Sequence, residues 1–126
     1  MPIQSFIFRA LFIISCALIC VSCAASKKET ERQSQIDTDY QMAVGYYENN
    51  QTPQAIRSLA LVLANDPNHA EANHLMGFIR LGRGQYEEAV KHFKKALETK
   101  PDMLNCQNNL GNAYLHLERY EDAAVI

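Results

Sequence analysis

The sequence predicts an all-α protein made of antiparallel helix pairs repeated along the chain, and three observations carry that prediction. Residues recur at a spacing of 34: Pro67 with Pro101, Gly77 with Gly111, Tyr86 with Tyr120, and Ala55 with Ala89 and Ala123. The intervening segments are amphipathic at the helical period; Val90, Phe93, Ala96 and Leu97 form one apolar stripe. No alternating apolar–polar run competes with them as a strand. Such a period means that one helix pair is stacked on copies of itself, each covering the apolar face of the one before.

The chain begins with a segment that does not look like domain material. Arg9 is followed by an uncharged run from Ala10 to Cys23, fourteen residues. As a helix this would span about 21 Å, short of a hydrocarbon core of roughly 30 Å. A short apolar region behind a positive charge, ending in small residues (Val21-Ser22-Cys23-Ala24-Ala25-Ser26), reads as a secretory signal. The segment resembles bacterial lipoprotein signals, whose cleavage motif ends in a small residue and a lipidated cysteine. Ser22-Cys23 fits that end, and Cys20 stands where the motif has Leu, Val or Ile. The resemblance implies a signal peptide over 1–22, diacylation of Cys23, and a membrane attachment through the lipid. Ala24, where an inner-membrane retention signal has Asp, implies the outer membrane with the body facing the periplasm. Two other readings stay open: a plain cleaved signal, and an uncleaved inner-membrane anchor extended back to Ile3. Lys27, Lys28 and Arg32 after the apolar run would then favour a cytoplasmic body.

Residues 23–35 are small, charged and polar, too poor in apolar surface to order themselves, and are expected to be a flexible tether. The repeats follow: 36–69, 70–103 and a truncated 104–126, about two and a half in all. Helices are expected near 37–49, 53–65, 69–83, 86–99, 103–117 and 120–126. Thr52-Pro53 offers an N-cap and a first-turn proline. Asn68 with Glu71 has capping-box spacing, and Asp102 is the expected cap after Pro101. Gly77 and Gly111 fall inside amphipathic helices, where glycine costs about 1 kcal/mol relative to alanine, so another helix is expected to pass too close for a side chain. The chain ends early in its sixth helix on Ala124-Val125-Ile126, which suggests a fragment and a frayed third repeat.

Period and content together resemble the tetratricopeptide repeat. Met76-Gly77, Tyr86, Ala89, Phe93, Ala96 and Pro101 carry it most clearly; Leu110-Gly111, Tyr114, Tyr120 and Ala123 repeat it, and Met42-Ala43, Tyr46, Ala55, Leu59 and Pro67 give a weaker copy. The resemblance implies a solenoid whose groove is lined by the first helix of each pair. The implied groove residues are Tyr40, Val44 and Tyr47, then His74, Phe78 and Leu81, then Asn105, Asn108, Asn109 and Asn112, and the implied partner is a protein or peptide segment.

The four asparagines are spaced i, i+3, i+4, i+7, which puts their amides on one helical face. Asparagine is a poor mid-helix residue, and its amide is suited to gripping an extended main chain. A solvated polar face is the competing reading. Tyr40, Tyr47 and Phe78 are either aromatic anchors or interhelical packing. Chaperone-binding members of the family grip a terminal carboxylate with lysine and arginine. This groove set has neither.

Other function classes find little support. The chain holds 12 Lys+Arg against 14 Asp+Glu, a net charge of −2, with no basic excess for a nucleic-acid backbone. His69, His74, His92 and His116 lack metal-ligand spacing, and His92 among Lys91, Lys94 and Lys95 reads as a solvated face. Cys106 reads as a small buried hydrophobe. No serine elbow, phosphate loop or Cys/His nucleophile arrangement is present, so no catalysis, cofactor, metal or small-molecule substrate is expected. In layout, and in Leu110-Gly111-Asn112-Ala113-Tyr114-Leu115 and Arg119-Tyr120-Glu121-Asp122-Ala123, the chain resembles the pilotins of type IV pilus systems, tetratricopeptide lipoproteins that help a secretin ring assemble.

Overall fold

A computed structural model describes the backbone of residues 3–125 and the side chains of residues 25–125. Cys23 and Ile126 therefore lie outside the described side chains. Among the described residues six helices follow one another: α1 (Ile3–Glu48), α2 (Thr52–Asn65), α3 (Ala70–Gly82), α4 (Tyr86–Thr99), α5 (Leu104–His116) and α6 (Tyr120–Ala123). No strand occurs among the described residues. None of their helices is long and apolar enough to cross a membrane.

Two units divide the chain at residue 35. In the first, residues 25–35 are helical and exposed, whereas composition alone argued against order there. Local interactions account for the helix: Thr30 Oγ1 donates to Ser26 O at 2.9 Å, and Arg32 pairs with Glu29 at 2.8 Å one turn away.

The second unit, residues 36–126, holds the repeats. Its core falls into two clusters. Ile36 and Ala43 of α1 meet Ala55, Leu59 and Val62 of α2 and Ala72, Met76 and Ile79 of α3. Ala89, Val90, Phe93 and Ala96 of α4 meet Cys106, Leu110, Ala113 and Tyr114 of α5. Phe93 is the largest fully buried side chain, and burying a ring of this kind is worth about 1.5–3 kcal/mol.

Gly77 explains its own presence. A Cβ there would lie 2.8 Å from both Cδ1 and Cε1 of Phe93, so α3 and α4 can approach only with glycine at the crossing. The same expectation fails at Gly111, where a Cβ would meet nothing within 4 Å.

The turns within each helix pair repeat as faithfully as the helices. Asn50, Gly84 and Glu118 have φ of 58°, 73° and 58°, one period apart. Each is followed by a residue whose N–H closes back on the helix: Gln51 to Tyr46 O at 2.8 Å, Gln85 to Arg80 O at 2.9 Å, and Arg119 to Tyr114 O at 2.9 Å. This is a Schellman closure, which needs one left-handed residue. Glycine takes that conformation freely, asparagine tolerates it, and glutamate at 118 is strained. Replacing Glu118 by glycine is expected to stabilise the protein by about 1 kcal/mol, seen as a rise in Tm of several degrees.

The turns between pairs use a different device. Asn73 Nδ2 donates to Pro67 O at 3.0 Å, and Gln107 Nε2, one period on, donates to Pro101 O at 2.7 Å. Three expected caps are replaced. Gln51 precedes α2, without a side-chain cap bond, while Thr52 is already helical. His69 rather than Asn68 caps α3, its Nδ1 accepting from the Ala72 N–H at 3.2 Å. Met103 rather than Asp102 precedes α5, with no side-chain cap bond. α3 and α5 each start one residue later than composition suggests, beside Pro67 and Pro101 carbonyls held by the amides of Asn73 and Gln107. α6 has no buried residue and is shorter than expected.

Candidate functional site

The first helices of the pairs, α1, α3 and α5, together form a groove. Its central hollow, about 500 Å³, is lined by Tyr47 of α1, His74, Leu75 and Phe78 of α3, and Asn105, Asn108 and Asn109 of α5. Six of these seven were expected from the sequence; Leu75, beside His74, was not. A second hollow of about 290 Å³ shares Tyr47 and Phe78 and is also lined by Leu81, Thr52 and Arg83. A third, of about 570 Å³, shares Asn108 and adds Asn112, Gly111, Leu115 and Tyr120. Tyr47 and Phe78 thus border the first two hollows, and Asn108 borders the first and third.

The walls are ordered by side-chain contacts. Tyr47 and Phe78 meet edge to face, 6.1 Å between centroids at 81°. The His74 ring lies 5.9 Å from Phe93, the core aromatic that fills the space over Gly77. His74 Nε2 and Asn109 Nδ2 are 3.2 Å apart, linking α3 to α5 across the groove floor. Phe78 stays 40% exposed, so an aromatic face remains available to a partner. Asn105, Asn108 and Asn112 are exposed and Asn109 is half-buried. The asparagine face predicted from spacing therefore exists, and three of its four members share one hollow.

Two expected groove residues are placed elsewhere. Tyr40 packs against the first core cluster, its ring 5.0 Å from His69, and burial followed by the nearby Glu71 carboxylate pushes its hydroxyl pKa up. Val44 is half-buried and lines none of the three hollows. Both share the helical face of Tyr47, but Tyr40 lies against the start of α3, beside His69 and Glu71.

The central hollow carries no charged side chain. Burial lowers the pKa of His74 below its ordinary 6.5, so its imidazole is neutral at pH 7. His92 differs from its expected solvated role: it is half-buried, and its Nδ1 lies 3.1 Å from Asn73 Oδ1. Both hydrogens of the Asn73 amide go to the carbonyls of Pro67 and His69, so its oxygen accepts and His92 Nδ1 donates. The His92 pKa is also lowered, first by burial and then by Arg80, with Glu88 opposing. Cys106 is buried as expected, its Sγ donating to Phe93 O at 3.5 Å, and burial pushes its thiol up to about 11. It is no nucleophile at neutral pH.

The two histidines make stability depend on pH. Each binds its proton less readily folded than unfolded, so lowering the pH favours the unfolded chain. Stability is expected to be full above pH 6.5 and to fall as the pH drops below that value and through the folded-state pKa values. Glu71, whose pKa the Lys100 hydrogen bond lowers, adds a further loss below about 4.5. Thermal melts between pH 7.5 and 4 check this; the pair His74→Gln and His92→Gln should flatten the upper part of the profile.

Family models of the tetratricopeptide repeat match residues 37–69 and 68–125, which together span all the helix pairs described above. The chain is a tetratricopeptide-repeat protein. Tetratricopeptide folds are in general non-catalytic scaffolds for protein or peptide partners. One curated relative, a peroxisomal targeting signal receptor of Candida albicans, is 30% identical over 94 residues, 73% of this chain and 16% of the receptor. The counterpart in Candida glabrata is 25% identical over 95 residues. The chain thus spans 16% of the length of these relatives. Among solved structures, the second tetratricopeptide domain of Spaghetti (RPAP3), bound to the HSP90 peptide SRMEEVD, has a TM-score of 0.68 at 19% identity, covering 74% of this chain and 88% of that one. MamA has a TM-score of 0.66 at 19% identity, covering 71% and 52%. These two likenesses are of fold. Pseudomonas aeruginosa PilF has a TM-score of 0.63 at a higher 27% identity, covering 73% of this chain and 41% of that one.

Proposed function

We propose that this tetratricopeptide protein is a lipid-tethered adaptor that receives an extended, uncharged segment of a cell-envelope protein. The observation that carries the reading is the composition of the groove: two aromatic rings and three asparagine amides around one hollow with no lysine, arginine or carboxylate. Amides supply donors and acceptors to a peptide main chain, and the rings take apolar side chains. A terminal carboxylate would find no cation in the central hollow; Arg83 lines the neighbouring one. The partner is therefore an internal stretch of chain rather than a charged tail.

Within that reading, the role is that of a pilotin, assisting a secretin in the outer membrane for type IV pilus assembly. Support comes from the order of leader, polar segment and repeats, and from the 27% identity with Pseudomonas aeruginosa PilF. Deleting the gene should abolish secretin multimers and piliation. Intact multimers in the deletion strain would remove the pilotin role and leave a general periplasmic adaptor for envelope or cell-wall assembly. Attachment is tested separately: globomycin should cause a larger precursor to accumulate, and palmitate should label the wild type but not Cys23→Ser. A membrane-anchored cytoplasmic adaptor is the reading favoured by Lys27, Lys28 and Arg32, and a C-terminal phosphatase fusion, active only in the periplasm, separates it.

A further inference from the structure

His74 and Asn109 are the only pair of groove-lining polar side chains described as bonded to one another, and one of them titrates. Neutral imidazole can accept at Nε2, and an amide N–H then points at it. Protonated imidazole can only donate, so the same contact survives only if the amide turns its oxygen to the ring. An amide has two ends, and whichever faces His74, the other is left to the groove.

We propose that the proton on His74 sets the hydrogen-bonding polarity of the groove through Asn109. With His74 neutral, Asn109 donates to Nε2 and offers its oxygen to a ligand N–H. With His74 protonated, the amide turns over, Oδ1 accepts from Nε2–H, and the groove is offered N–H donors. As a statement about peptide recognition this rests on the groove reading above: the same hollow would hold a segment in one hydrogen-bonding register at neutral pH and disfavour it in acid.

No other charge on the surrounding helices competes for the role. From α1 the hollow receives Tyr47, whose phenol is neutral in this range. From α4 His74 meets the Phe93 ring, and from α5 the asparagine amides. The Cys106 thiol of α5 is bonded to the Phe93 carbonyl. On α3 itself, Glu71 is paired with Lys100, and Arg80 lies 3.3 Å from Glu88. Burial is the one cause that moves the His74 pKa, which agrees with a ring that faces no ion. His92 supplies a contrast: its Nδ1 already donates to Asn73, so protonating it requires no amide to turn.

The test needs no ligand. The full chain, labelled with ¹⁵N and ¹³C, is titrated by NMR from pH 7.5 to 4.5. His74 Nε2 should resonate as a bare acceptor nitrogen in the neutral form, and should titrate with a midpoint below 6.5. The Asn109 side-chain amide should shift with the same midpoint, while that of Asn112 stays still. In His74→Gln the Asn109 titration should vanish; if that variant does not fold, the wild-type titration decides alone. A proton already on Nε2 at pH 7.5, or an Asn109 amide that ignores the His74 titration, overturns the proposal. Because no peptide is present, failure here leaves the groove reading standing, and a groove that binds nothing leaves the coupling intact.

Discussion

Replacing Phe93 by alanine is expected to lower stability by about 3–5 kcal/mol, a fall in Tm of the order of 20 °C for a domain of this size. The ring has no exposed surface, spans the α3–α4 crossing and lies against His74, so its removal leaves a cavity that rigid helices cannot close. Domains of this kind have about 5–15 kcal/mol in hand, so the loss is a large fraction of the total stability.

The stronger form of the prediction is a reversal of sign. Gly77→Ala alone places a Cβ 2.8 Å from the Phe93 ring edge, and should destabilise by about 1–3 kcal/mol despite alanine's better helix propensity. In the Phe93→Ala background that collision is gone, and Gly77→Ala should stabilise by up to about 1 kcal/mol. Chemical denaturation of the four proteins measures the coupling directly. Strictly additive effects would show that Gly77 is not held by the ring.

The second large effect separates binding from folding. Asn105→Ala with Asn108→Ala removes two exposed amides from α5, the first from its opening turn and the second from its interior, where alanine is preferred by up to about 0.7 kcal/mol. The double variant should melt at or above the wild-type temperature. Its partner should nonetheless bind at least about tenfold more weakly, at roughly 1 kcal/mol for each lost hydrogen bond. Phe78→Ala, removing the exposed aromatic, should weaken binding about thirtyfold, the size of a typical anchor. If the asparagine face is merely solvated, the double variant gains stability and loses no affinity. Isothermal titration with the captured segment distinguishes the two.

How far the sequence reached depends on what each residue was asked to report. The period located the second to fifth helices within two residues, because prolines, glycines and alanines at 34-residue spacing mark crossings and turns that backbone geometry imposes. It also found Phe78, His74 and the asparagine face, since i, i+3, i+4 spacing fixes a face wherever a helix exists. A face is not a height: Tyr40 shares the side of Tyr47 but packs beside His69 at the start of α3, and Val44 lines none of the described hollows. Gly111 was read by analogy with Gly77, yet a glycine's reason lies in the residue opposite it. Two signals were present and unread. Asn50, Gly84 and Glu118 share a register, as do Asn73 and Gln107, but neither set shares one residue type, so only the common φ and the common proline carbonyl reveal them. His92 was taken for a solvated residue because its neighbours are lysines, while its partner Asn73 lies 19 residues away on another helix.

The most direct test of the central claim, that the face shared by α1, α3 and α5 receives a protein segment, is site-specific photo-crosslinking in intact cells. A photoreactive phenylalanine is placed at Phe78 in the groove and, separately, at Leu61, which is 56% exposed on α2 and lines none of the described hollows. A discrete envelope-protein adduct from position 78, absent from position 61 and lost when Asn105 and Asn108 are replaced by alanine, is the predicted result. An adduct from position 61 alone, or one from position 78 that is indifferent to the asparagines, would contradict it.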